Sequence, residues 1–71
     1  MREYAVVRMG DVRVAIEVGA GALAWASLRR SGVAFPTTAL LVRSASQADA
    51  CAAVAGKPVS LAWARRRVIE G

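Results

Sequence analysis

The chain contains no histidine, and Cys51 is its one cysteine. Histidine is the commonest general base near neutral pH and the commonest metal ligand. Without it, Ser–His and Cys–His dyads and the usual zinc ligand sets are excluded. One thiol closes no intramolecular disulfide. Cys51 lies in the run Ala50-Cys51-Ala52-Ala53-Val54, and it is expected to be a small buried apolar residue rather than a nucleophile. The carboxylates are also few. Glu3, Asp11, Glu17, Asp49 and Glu70 occur singly, with no motif pairing any two for acid–base work. No enzymatic activity, no cofactor and no metal site are expected.

Long apolar runs are absent too. The longest stretches without charge are Val18–Leu28 and Ser31–Val42. Both fall short of the ~20 residues that cross a bilayer as a helix. Glu3, Arg8 and Asp11 interrupt the N-terminus before any apolar segment forms, so no secretory signal and no membrane association are expected. A single unpaired thiol fits a reducing compartment, which makes the cytoplasm the expected location.

Bulk is the last deficit. The chain is 56% hydrophobic, but 16 of those residues are alanine and 23 are large apolar side chains. Each large side chain contributes roughly 1.5–3 kcal/mol when fully buried. Across one small domain, residues 1–71, that only about offsets the lost chain entropy. A homo-oligomer or a larger protein partner is therefore expected to supply further burial.

Positive charge, by contrast, is plentiful. Ten basic residues against five acidic give +5, and nine of the ten are arginine. Guanidinium recognises phosphate bidentately, so an acidic partner, DNA or RNA first, is expected. The arginines cluster as Arg65-Arg66-Arg67 beside Trp63, and as Arg29-Arg30 near Trp25. Arginine with an exposed aromatic suits phosphate contact and base stacking. With the tryptophans buried as core members, the same runs are a solvated face.

Along the chain, residues 3–9 and 12–18 predict a β-hairpin. Val12, Val14, Ile16 and Val18 alternate with Arg13, Ala15 and Glu17, and Gly10-Asp11 makes the turn. Residues 19–31 predict a turn at Gly19 and Gly21, then a helix with Arg29 and Arg30 in its last turn and Gly32 as its stop. Thr38–Arg43 predicts a strand. Ser46 is the expected N-cap of a second helix over residues 47–55, with Asp49 in its first turn and Gly56 ending it. Residues 58–69 are ambiguous. Val59, Leu61 and Trp63 alternate as in a strand, while Leu61–Arg67 has high helix propensity with Ser60 available as a cap. The alternation tips the expectation to strand.

The expected fold is a small two-layer ββαβαβ module of the α+β class. Its sheet is mostly antiparallel or mixed, with two short helices on one face. The alternative is an N-terminal hairpin followed by a C-terminal helix-turn-helix.

Two segments carry resemblances. Val14–Val18 runs into Gly19-Ala20-Gly21-Ala22-Leu23-Ala24, a Gly-x-Gly-x-x-Ala spacing that resembles the dinucleotide-binding fingerprint of Rossmann-type enzymes. That resemblance implies that Gly19, Gly21 and Ala24 admit a pyrophosphate to a helix N-terminus, with Arg43 suited to a ribose 2′-phosphate. Ala52 and Gly56 stand four apart, as in helix-turn-helix proteins, which implies a DNA-reading helix over 61–69. The opening Tyr4–Gly10 is similar to the first hairpin of chemotaxis coupling domains and implies nothing beyond a hairpin.

The functional expectation is a basic binding module that contacts nucleic acid through Arg65, Arg66, Arg67, Arg29 and Arg30. A protein-interaction module, as adaptor or inhibitor subunit, is the alternative. A nucleotide-binding half-domain is third.

Overall fold

The computed structural model describes residues 1–28 and 37–71. The expected hairpin forms from β1 (Arg2–Met9) and β2 (Val12–Glu17). Gly10 takes the turn with φ near +60°, where a side chain would be strained. A short helix α1 (Ala22–Ala26) follows. Then come β3 (Thr38–Ser44), helix α2 (Gln47–Ala52), β4 (Lys57–Ser60) and helix α3 (Leu61–Glu70). The four strands form one antiparallel sheet in the order β2-β1-β3-β4. This is the α+β class and the antiparallel pairing expected.

β1 sits at the centre and explains the layering. Tyr4, Ala5, Val6 and Val7 are all buried, so both faces of this strand are covered. Ala5, Val7 and Met9 pack with Ile16 and Ala39 against Trp25 and Leu28, and against Ala64 and Val68 of α3. Tyr4 and Val6 pack with Ala15 and Val42 against Ala50 of α2. Alternation along a strand sends these two sets to opposite faces. The helices therefore lie on both faces, α1 and α3 on one and α2 on the other, where two helices on a single face were expected. The physical reason is that β1 has no polar side: four consecutive buried residues need cover above and below.

The second correction concerns residues 58–69, where a strand was expected. The chain is extended only over Lys57–Ser60 and turns helical at Leu61. Ser60 makes the switch. Its hydroxyl oxygen accepts a hydrogen bond from the Trp63 N–H at 3.1 Å, satisfying a donor that the first helical turn leaves free. Leu61, Ala64 and Val68 then fall on one stripe facing the sheet. The helix-turn-helix alternative fails for the same reason that β4 exists. Pro58 and Val59 are register partners of Leu40 and Ala39, so a paired strand stands between α2 and α3.

The second helix begins where expected, with the Ser46 side chain accepting from Asp49 N–H at 3.2 Å. It ends sooner than expected. Ala53 is extended, and the Arg13 guanidinium donates to Ala53 O at 3.0 Å and Cys51 O at 3.4 Å, capping the helix from the neighbouring strand. Gly56, expected to stop α2, instead permits a close approach to β3. A Cβ there would lie 2.8 Å from Val42 Cγ2 and 3.0 Å from Leu41 O.

Gly56→Ala should accordingly destabilise the fold by about 1–3 kcal/mol, the usual cost of forcing an extra methyl into a filled space. Chemical denaturation measures it, and an unchanged midpoint would show that the β3 contact is loose.

Candidate nucleic-acid interface

The arginine run lies in the middle and last turn of α3, and a helix turns about 100° per residue. Three consecutive arginines therefore fan out rather than form one cluster. Arg65 and Arg66 are exposed. Neither makes an ion pair among the described residues.

Arg67 has a different environment. Its side chain is about one-third exposed and pairs with the Glu3 carboxylate at the start of β1. It also donates to Gly71 O at 3.1 Å. Its guanidinium carbon stands 5.5 Å from the centre of the Trp63 ring, within cation–π range. Arg67, expected at the phosphate interface, is thus committed within the protein. Its remaining Nε–H is buried and has no protein acceptor.

The two tryptophans behave differently from one another. Trp25 is 5% exposed and belongs to the core; Trp63 keeps 39% of its surface open. Arg29 and Arg30 lie outside the described residues.

Sheet register brings two further cations to the face that carries α3. Arg43 is the register partner of Glu3, and Lys57 of Leu41, which is itself the partner of Ala5. Directly paired residues project to the same side, so Arg43 and Lys57 share the face of Ala5 and Glu3. Both are exposed. Neither belongs to a basic run, so local sequence gave no reason to group them with α3. Only the pairing of β1, β3 and β4 does that.

The Gly-x-Gly segment does something other than cradle phosphate. Gly19 N–H donates to Arg67 O at 3.1 Å, and Gly21 N–H donates to Val68 O at 2.9 Å. Both are carbonyls of the last turn of α3: Arg67 O also accepts from the Gly71 N–H at 2.9 Å, whereas Val68 O lies among the last four carbonyls, which the helix itself leaves without donors. Both glycines adopt positive φ, near +86° and +102°. That conformation aims their amides at α3. The preceding strand β2 pairs antiparallel with β1, and no parallel pair exists among the described strands. A Rossmann unit requires one. The glycines that suggested a dinucleotide thus cap a helix C-terminus.

Among the described residues no three metal-ligating side chains converge, and no helix is long and apolar enough to cross a membrane. Comparison with protein-family models, curated proteins and solved structures finds no match to this chain.

Stability should separate the three arginines. Arg67→Ala is expected to cost about 1.5 kcal/mol. That is the low end for hydrogen bonds to a charged group, because both partners keep some contact with water. Arg65→Ala and Arg66→Ala should each stay within about 0.5 kcal/mol of the parent. Equal losses for all three in urea titrations would contradict this division of roles.

Proposed function

We propose that this chain binds nucleic acid through the outer surface of α3 and the adjoining edge of the sheet. Arg65 and Arg66 would contact phosphates, Arg43 and Lys57 would extend the basic track, and Trp63 would offer a partly open ring to a base. The observation that carries the reading is the pairing pattern of the charges. Glu3 and Glu17, the carboxylates engaged in ion pairs, neutralise Arg67 and Arg2. Arg65, Arg66, Arg43 and Lys57 are left exposed without an acidic partner among the described residues. Exposed cations without carboxylate partners, on and beside a helix that also carries a half-open tryptophan, suit the chemistry of single-strand binding surfaces. Arg67 serves here as a positioning residue that holds Trp63 from one side. The proposed setting is the cytoplasm.

A protein partner, including a second copy of the chain, is the second reading. Leu23 favours it, because its side chain is 90% exposed on α1, the helix that packs beside α3.

Fluorescence anisotropy of labelled single- and double-stranded DNA at two salt concentrations tests the proposal. Binding should fall steeply with salt, with a dissociation constant of roughly 10⁻⁴–10⁻⁶ M at physiological ionic strength. The Arg65→Ala/Arg66→Ala double variant should reduce the slope of log K against log salt by about 2, one unit for each lost phosphate contact. Arg67 is left intact so that folding is not disturbed. Absence of binding at low salt would sink the reading. Sedimentation at several protein concentrations would then examine the second one.

A further inference from the structure

The sheet face that carries α2 is only half covered. α2 lies over Tyr4, Val6, Ala15 and Val42 and ends at Ala52. Beyond it, toward the hairpin turn, Val6, Arg8, Arg13, Thr38, Leu40 and Pro58 line a cleft of about 250 Å³. A larger depression of about 610 Å³ follows the outer edge of β2, but its charged residues, Arg2 and Glu17, already satisfy each other. The smaller cleft holds charge that is not satisfied.

Arg8 and Arg13 are direct register partners across β1 and β2. The turn of two residues makes Met9 and Val12 the first hydrogen-bonded pair. Arg8 and Arg13 are the next pair, in the narrow position where opposing side chains come closest. Two like charges placed this way repel each other. Only one of them is offset. Arg13 donates to Cys51 O and Ala53 O at the C-terminal end of α2, where the helix presents partial negative charge. Arg8 is exposed and has no ion pair or hydrogen-bond partner for its side chain among the described residues. Beside them the floor is apolar, with Val6 buried and Leu40 half-buried, and Pro58 stands at the rim. Thr38 adds a hydroxyl.

We propose that this cleft binds a phosphate monoester whose carrier includes a planar ring. Arg8 is the principal anion contact. The free donors of Arg13 supply a second, and the Thr38 hydroxyl a third, matching the three terminal oxygens of the phosphate. The planar part rests on Leu40 and Pro58. Free nucleotide and the phosphorylated end of a nucleic-acid strand both present this chemistry. The cleft lies on the sheet face opposite α3, so the inference stands apart from the proposal for Arg65 and Arg66.

The test is a two-dimensional amide NMR titration of the full chain carrying Arg65→Ala/Arg66→Ala, which removes the two phosphate contacts proposed for α3. The probes are adenosine monophosphate, adenosine, and a short oligonucleotide with and without a 5′-phosphate. Millimolar adenosine monophosphate should shift the amides of Val6, Arg8, Arg13, Thr38 and Leu40, and adenosine should not. Arg8→Ala should weaken binding about tenfold or more, the worth of one hydrogen bond between charged groups. Arg8→Lys, which keeps the charge and loses the fork, should fall between. A stronger response to the phosphorylated oligonucleotide would identify a strand end as the ligand. A response to the mononucleotide alone would identify the free form, and both support the site. No shift at these residues, equal shifts with adenosine, or binding indifferent to Arg8→Ala would overturn it.

Discussion

The last turn of α3 is held by the open end of the N-terminal hairpin, and the presentation of the basic surface depends on that clasp. Gly19 and Gly21 donate main-chain hydrogen bonds to Arg67 O and Val68 O. From the same end of the sheet Glu3 takes the Arg67 guanidinium. Ten residues are too few for a stable isolated helix in water. α3 forms because Ser60 accepts from its first turn, Gly19 and Gly21 donate to its last, and Ala64 and Val68 are fully buried between. With both ends and the inner stripe fixed, Arg65 and Arg66 have only solvent to face.

The same hairpin organises the other helix. Arg13 closes the C-terminal end of α2, while Gln47 Nε2 donates to Ala15 O at 2.7 Å and the Cys51 thiol approaches Arg13 O at 3.7 Å. Arg13 and Ala15 carry main-chain groups that point away from β1, so α2 covers part of an otherwise bare sheet edge. The opposite edge is blunted by its own sequence: β4 is four residues long and includes Lys57 and Pro58. Short edges bearing lysine and proline resist pairing with other strands. Burial on both faces of β1, caps donated by β2 and guarded edges together let a chain poor in large apolar side chains close two small cores.

Much of this was legible in the sequence wherever one signal dominated. The alternation from Val12 to Ile16 marks β2, Gly10 marks its turn, and Ser46 marks the start of α2. The segment after Gly56 was not legible, because two periodicities overlap there. Val59, Leu61 and Trp63 alternate, yet Leu61, Ala64 and Val68 also fit a helix, and only the sheet beneath decides between them. The Gly19–Ala24 spacing misled for a related reason. Glycine at positive φ frees an amide to point outward, and sequence does not say whether phosphate or a helix carbonyl lies there. The arginine run shows where positive charge concentrates but not that its three guanidiniums have different surroundings. Glu3, which engages Arg67, is 64 residues away in the chain. Arg43, Lys57 and the Arg8–Arg13 pair become neighbours only through strand register.

The clasp is tested most directly by native-state hydrogen exchange at the amides of Gly19 and Gly21. Both lie in a turn between a strand and a five-residue helix, where amides ordinarily exchange freely. If they hold α3, they should be protected to nearly the same extent as the central amides of β1, and addition of nucleotide should leave that protection unchanged. Exchange at the rate of an open loop, or protection that arises only when nucleotide is added, would contradict the account and return the glycines to the role of a phosphate loop.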